Sequence, residues 1–486
     1  MKNYNIPKLD EIAGKIVDMM PPLDEFFSLD DSIEPYSQKL HNVQAQPTHI
    51  KRQKPFLELV RRKIERIFNV KERENIKVLQ NDSWGLEAGV MDHHGILNDP
   101  MLFGTNIVIN YYRMFNRKDF GDIFTFGTGN VPLNDFFHRR GFMIDNQRVN
   151  IFKKEDKNKF VFNLPLHEFN FVDLLHKNHL WHHYSKQAQD FLVKAQEIIG
   201  NIDISGCRML GDQIAKINYY LWPLIFEEKI RSNVSNLISL EYDDMVIDYL
   251  LHVLTNDKNS FIYKMLLDDQ LRNRALVHFE GKTGAWDKIR NKGTHFFWYY
   301  NDENNQTRLQ LKDGKLQSTD GAVNIDWKLE AIIQKLKERR LLPCMLLKFS
   351  LIIFYMGLKP FTGYGSTNYI SIMQKDLMEF LGKEFEDEVE RIKKIKVNNM
   401  TTVPVVLKKS KNSEIESYFA FDVMKDGGLT HDYLQRINTV PIRYFAGPRL
   451  NDIYDYAFSL YGKGEKSDIK ITSEDCEPLF RKVFGN

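Results

Sequence analysis

The spacing of apolar residues divides the chain into stretches of different period. Over Leu9–Met20 and again over Phe56–Phe68 the apolar positions recur at helical intervals, with Leu57, Val60, Ile64 and Ile67 or Phe68 on one face. This predicts helices separated by the Pro21-Pro22 and Pro47 breaks. From Ile76 the period changes. Ile76–Leu79 and Leu86–Met91 read as strands, Met101–Phe115 as a helix, and Asp122–Phe126 as a strand ending in Gly127-Thr128-Gly129-Asn130. Strand, helix, strand over this length predicts a right-handed βαβ unit with a parallel sheet. Alternating runs at Arg148–Phe152 and Lys159–Leu164 suggest a hairpin beyond it.

Residues 168–275 are dominated by helical periodicity, at Tyr184–Ile199, Asp212–Ile230, Asp243–Leu254 and Phe261–Leu271. Strand character returns at Thr294–Tyr300 and Thr307–Leu311, joined by a polar turn. Further helices are expected at Asp326–Arg339, Phe385–Lys396, Leu429–Ile437, Leu450–Tyr461 and Glu474–Val483, with a strand at Val403–Lys408. Leu341–Leu358 is the most apolar run, but Pro343 and Lys348 interrupt it and Lys359-Pro360 border it, so it reads as buried core rather than a membrane span. The expected organisation is an N-terminal helical arm (1–75), a first half of an α/β core (76–167), an inserted helical subdomain (168–285), a second half of the core (286–382) and a C-terminal α/β extension (383–486).

Composition narrows the class. With 67 basic against 65 acidic residues the net charge is +2, too balanced to argue a nucleic-acid or membrane surface. The three cysteines, Cys207, Cys344 and Cys476, have neither metal-ligand nor redox spacing. No signal-peptide core occurs in residues 1–20, so a protein of the reducing cytoplasm is expected.

Chemistry concentrates where the first strand runs into its helix. Asp92-His93-His94-Gly95 puts a carboxylate, two imidazoles and a permissive backbone in one loop, and Asp99 is placed to cap a helix that starts at Pro100. Such a loop lies at the carboxyl end of a strand, where open α/β sheets present their chemistry. The second loop adds Asn134, Asp135, His138, Arg139 and Arg140, and Thr362-Gly363-Tyr364-Gly365 opens another helix that carries Tyr369. Neutral histidine suits proton transfer to or from an amine, thiol or water, and a neighbouring aspartate fixes its tautomer. Arg139, Arg140 and Arg308 are candidates for holding a carboxylate or phosphate. His176, His179, His182 and His183 lie close in sequence, and His179 and His183, four apart, could share a helix face toward a metal, but no acidic third ligand is fixed by spacing.

Four stretches in order resemble the bacillithiol-biosynthesis cysteine-adding enzyme family. Met91-Asp92-His93-His94-Gly95-Ile96 with Asp99-Pro100 lies over that family's Gly-Gln-Gln-Ala-Gly-Leu loop and Gly-Pro helix start. His295-Phe296-Phe297-Trp298-Tyr299-Tyr300 followed by Arg308-Leu309-Gln310-Leu311 is similar to its aromatic hairpin, and Leu342-Pro343-Cys344-Met345-Leu346-Leu347-Lys348 to its Ser-Pro-Asn-Val-Leu-Leu-Arg. Thr362-Gly363-Tyr364-Gly365-Ser366-Thr367-Asn368-Tyr369 resembles its Gly-Gly-Pro-Gly-Glu-Ile-Ala-Tyr loop. The family's acidic cluster after the second strand is replaced by Gly129–Asp135, and its loop glutamate by Ser366, so the likeness speaks to architecture rather than substrate.

The resemblance implies an α/β fold with a Rossmann-like parallel-sheet core, an inserted coiled-coil-like helical arm and an N-terminal helical segment. It also implies a ligase- or transferase-like condensing enzyme for small molecules, with a homodimer formed through the arm as the expected assembly. On that expectation His93, His94, Asp92 and His138 are catalytic, with His93 or His94 as general base. Asn134, Asp135, Arg139, Arg308, Gly363, Gly365 and Tyr369 bind substrate. No metal or cofactor is assigned, and neither nucleic acid nor membrane is an expected partner. Two alternatives stay open: a metal-dependent enzyme using Asp92, His93, His94 and His138, and a ligand-binding or interaction protein on a degenerated enzyme scaffold.

Overall fold

The computed structural model describes residues 6–41, 47–76, 87–114, 122–409 and 415–484, with the side chains of 47, 48 and 87–92 left aside. Its strands in chain order are β1 (Glu87–His93), β2 (Ile123–Thr128), β3 (Gly141–Ile144), β4 (Gln147–Asn150), β5 (Leu237–Glu241), β6 (Phe297–Tyr300), β7 (Gln306–Lys312), β8 (Lys315–Ser318), β9 (Asn324–Asp326), β10 (Leu341–Pro343), β11 (Lys359–Phe361), β12 (Leu407–Lys409) and β13 (Ile415–Ser417). The fold is mixed α/β. A four-stranded sheet of order β11-β1-β2-β5 is parallel at every pairing, and a separate antiparallel sheet has the order β10-β6-β7-β8-β9.

The expected strand, helix, strand unit is present: β1, the helix Pro100–Met114 and β2, with β1 and β2 parallel. Asp99 starts the helix by accepting a hydrogen bond at Oδ1 from the Met101 amide at 2.9 Å, and Pro100 follows at the first helical position. Residues of the parallel sheet contribute to two apolar cores. Ile123 and Leu237 belong to one, while Phe124, Phe126, Ile238 and Leu240 belong to the other. Burial on both sides is what a parallel sheet requires, because its crossover segments cover its faces. Phe56, Val60, Ile64, Ile67 and Phe68 are buried in the second core as the helical spacing predicted, with Leu57 half-buried beside them, and their helix runs from Pro47 to Ile67.

Several expectations change. The helical block at 168–285 supplies β5, which pairs with β2 from Ile123↔Leu237 to Gly127↔Glu241. Leu-Ile-Ser-Leu-Glu is short and sits between strong helical patterns, so its period gives no strand signal. The block is thus part of the central sheet rather than wholly helical. The Asp212–Ile230 run breaks into Leu210–Leu221 and Glu228–Arg231 with Pro223 between them. The hairpin after β2 pairs β3 with β4, not 148–152 with 159–164. Its turn uses Asp145 and Asn146 at φ of 50° and 57°, the left-handed pair that two-residue hairpins favour.

The strands at 297–300 and 306–312 form the antiparallel sheet and do not extend the parallel one. The apolar run 341–358 becomes β10, the helix Met345–Phe349 and a π-helical turn, nearly all buried. Among the described residues no helix is long and apolar enough to cross a membrane. The predicted strand Val403–Lys408 shortens to Leu407–Lys409. Positions 77–79 of the first strand candidate lie outside the described residues.

Candidate functional site

The carboxyl ends of β1, β2, β5 and β11 share one edge of the parallel sheet, so the loops that follow them meet there. The first loop is tied to the second strand by the His94 amide, which donates to the Thr128 carbonyl at 3.0 Å. Alternation along β1 sends His93 and His94 in different directions. His93 donates from Nδ1 to Asp135 Oδ1 at 3.0 Å, while Phe137 meets its ring edge-on at 5.1 Å. The His93 side chain keeps 31% of its exposure, whereas that of Asp135 keeps only 6%. Burial pushes the Asp135 carboxyl up, but the hydrogen bond from His93 and the nearby imidazoles outweigh it and hold the group below its usual range.

His94 has a different environment. It is 1% exposed, and its Nε2 donates to the Gly211 carbonyl at 2.8 Å. Burial pushes its pKa down to about 4, and its buried Nδ1 has no hydrogen-bond partner, as suits a neutral ring. His138 donates from Nε2 to the His93 carbonyl at 2.9 Å, and burial lowers its pKa as well. Gly95 is required by this ring, since a Cβ there would stand 2.3 Å from His138 Cε1. His94 and His138 are therefore packing and positioning groups in this structure, and of the predicted imidazoles His93 alone combines a carboxylate partner with an open face. The Asp92 side chain lies outside the described residues.

The glycine loop stands on the same edge, because β11 pairs with β1 and runs directly into Thr362 and Gly363. Thr105, on the helix after the histidine loop, donates to Thr402 at 3.0 Å, and Thr402 packs against Gly363. Arg449, from the C-terminal segment, bears electrostatically on both Asp99 and Tyr364, and its guanidinium lies 5.9 Å from the Phe136 ring. Arg139 lies 4.9 Å from the same ring. Gly365 is packed by Tyr456, and Tyr369 stacks on Phe349 at 6.2 Å. Asn134 is exposed beside the loop and hydrogen-bonds through its amide to Lys157.

Arg308 goes elsewhere. It lies on β7 and donates to Asn291 and to the Asp287 carbonyl, so its hydrogen bonds stay within the antiparallel sheet and its adjoining loop. The candidate helix face of His179 and His183 does not form. The helix ends at Lys177, His179 turns at φ of 56°, and His176 stacks on Trp181. Among the described residues no group of three or more histidine, cysteine or acidic side chains is arranged to hold a metal.

No protein-family model and no curated protein matches this chain.

A buried charge cluster that the sequence does not signal gathers around the carboxyl end of β5. Lys63, buried on the helix Pro47–Ile67, contacts Asp244 at 2.7 Å, Asp212 at 3.5 Å and Glu241 at 3.7 Å. Arg66 grips Asp212 at 2.5 and 3.1 Å. Burial opposes ionisation of Asp212, yet Lys63 and Arg66 prevail and set its pKa at about 2. Burial and the neighbouring Asp244 charge raise Glu241 well above the usual carboxylate range, against the pull of Lys63. Asp243 binds Lys348 and accepts from Thr128 Oγ1 at 2.9 Å and the Asn130 amide at 2.8 Å, which anchors the loop after β2. Recognising Leu237–Glu241 as a strand would have exposed the Glu-Tyr-Asp-Asp sequence as a strand-end cluster.

Proposed function

We propose that this chain is an enzyme for small molecules, a condensing catalyst of ligase or transferase type on a Rossmann-like core, with His93 as general base. The observation that carries this reading is the His93–Asp135 pair at 3.0 Å, at the carboxyl end of β1 and with its imidazole partly open. With Nδ1–H committed to the carboxylate, Nε2 is left as the lone pair that takes a proton from an attacking amine, thiol or water. Asp135 then stabilises the imidazolium formed. Arg449 and Arg139 flank Phe136 near this pair and would hold an anionic portion of a substrate. The arrangement of histidine loop and glycine loop at one sheet edge agrees with the condensing chemistry that the sequence resemblance implies.

The test is depletion of metabolites from a cell extract by wild type, His93→Ala and Asp135→Asn, with urea unfolding as a control. Turnover by wild type that falls at least a hundredfold in both variants, with folding retained, supports the assignment. Turnover retained by His93→Ala removes His93 as the base. No turnover by any of the three favours the alternative of a binding protein on this scaffold.

A further inference from the structure

The loop that begins at His93 ends in another polar side chain, Asn98, which is 3% exposed and commits both ends of its amide to backbone groups. Its Nδ2 donates to the Phe137 carbonyl at 2.9 Å, and its Oδ1 accepts from the Met143 amide, on β3, at 2.8 Å. One partner can only accept and the other can only donate, so a single orientation of the side chain satisfies both. The loop itself is held from beneath. Asn218, buried on the helix Leu210–Leu221, donates from Nδ2 to the Gly95 carbonyl and accepts at Oδ1 from the Leu97 amide, both at 2.9 Å. The Asn98 carbonyl accepts from the Ala420 amide at 3.0 Å. Asn98 is thus a fixed support with its donor aimed at one atom.

That atom belongs to the residue that contacts both members of the His93–Asp135 pair. The Phe137 amide donates to Asp135 Oδ1 at 2.8 Å, the same oxygen that receives His93 Nδ1 at 3.0 Å, and the Phe137 ring meets the His93 ring edge-on at 5.1 Å. A side-chain oxygen bonded to the amide two residues on closes a local turn, and the carboxylate then points wherever that turn directs it. Two hydrogen bonds lace the turn to the histidine loop: His138 Nε2 to the His93 carbonyl, and Asn98 Nδ2 to the Phe137 carbonyl. Without the second of these the Phe137 peptide can rotate, and Asp135, bonded to its amide, moves with it and away from His93.

We propose that Asn98 is a positioning residue for the general base: by holding the Phe137 carbonyl it fixes the turn that presents Asp135 to His93 Nδ1, and so keeps Nε2 as the free lone pair. The inference rests on the reading of His93 as that base. Asn98 acts through Phe137 and Asp135 rather than on substrate, as residues that support a site from behind do.

Asn98→Asp tests it, because the carboxylate keeps an acceptor for Met143 but sets an oxygen against the Phe137 carbonyl where the N–H donor stood. Asn98→Ser, uncharged and too short to span both partners, removes the same donor without placing a charge in the interior, and it carries the test if urea unfolding shows Asn98→Asp to be unfolded. Long-range proton–nitrogen NMR correlations of the full chain with isotope-labelled histidine, at alkaline pH, report the tautomer of His93, whose signals are assigned by their loss in His93→Ala. Wild type is expected to hold the proton on Nδ1. In the variants this form should give way to a mixture with the Nε2–H tautomer, since the protonated nitrogen is chosen by the hydrogen bond it makes. Depletion of metabolites by the variants should slow about tenfold to a hundredfold, as misplacement of a reacting group implies. A purely structural role would lower stability and leave the tautomer alone. An Nδ1–H tautomer in wild type that is unchanged in a folded variant overturns the role of Asn98 and leaves the base assignment standing. An Nε2–H tautomer in wild type overturns both together. A tautomer that shifts in the variants when even wild type turns nothing over supports Asn98 as the residue that positions the pair and removes only the enzymatic reading.

Discussion

Replacing His94 with glutamine should remove one specific piece of the pH dependence of stability. In the folded protein the ring is 1% exposed, donates from Nε2 to the Gly211 carbonyl at 2.8 Å, and has no partner for its buried Nδ1. A proton added at Nδ1 would therefore be buried without an acceptor, and the pKa falls to about 4. The unfolded chain takes up its proton near the ordinary value of 6.5. Between these values the unfolded state binds more protons than the folded one. Stability thus falls as pH drops through that window and levels below it.

The separation corresponds to about 3 kcal/mol lost between pH 7 and pH 4 from this residue. Glutamine places an amide N–H near the position of Nε2, keeps the bond to Gly211 and cannot titrate. Urea unfolding of wild type and His94→Gln at intervals from pH 7 to pH 4 gives the comparison. Other buried histidines, such as His138 and His295, act in both proteins and cancel in the difference. Wild type should lose about 3 kcal/mol more than the variant over the interval. Stability curves that run parallel would refute the claim that His94 is held neutral by its burial.

Two further substitutions test the packing around the sheet edge. Gly95→Ala drives a methyl against the His138 ring, which is held by the His93 carbonyl, and should cost about 1–3 kcal/mol in urea unfolding. An unchanged midpoint would show that the ring moves freely. Lys63→Met keeps the buried stem but leaves Asp212, Glu241 and Asp244 short of a cation, so a loss of about 3 kcal/mol at pH 7 is expected. The same measurement at lower pH should show a smaller loss, as protonation relieves the uncompensated carboxylates.

Local pattern was enough for the βαβ unit. Asp99 and Pro100 signal a helix start within two residues, and the helix and β2 were legible because each carries its own period. The polar loop at the carboxyl end of β1 is legible for the same reason, and His93 and Asp135 are both among the expected site residues. Their pairing is not. Neither the 42 positions that separate them nor the opposite directions of His93 and His94 can be weighed until β1 and its neighbours are placed. Arg308 is a different case: its hairpin belongs to the antiparallel sheet, and its guanidinium is held by Asn291 and the Asp287 carbonyl, partners that its own strand gives no hint of.

Periodicity and caps act over a few neighbouring residues, so the mixed α/β character, the strand–helix–strand unit and the loop at 92–99 are all set locally. Long-range packing is what adds the five-residue run at 237–241 to the parallel sheet and seals His94 while leaving His93 partly open. It also joins Lys63 to Asp212, Glu241 and Asp244, carboxylates that lie about 150 to 180 positions further along the chain. Burial and pairing depend on which distant surfaces meet, and that is settled by the packing of whole layers rather than by any local stretch of chain.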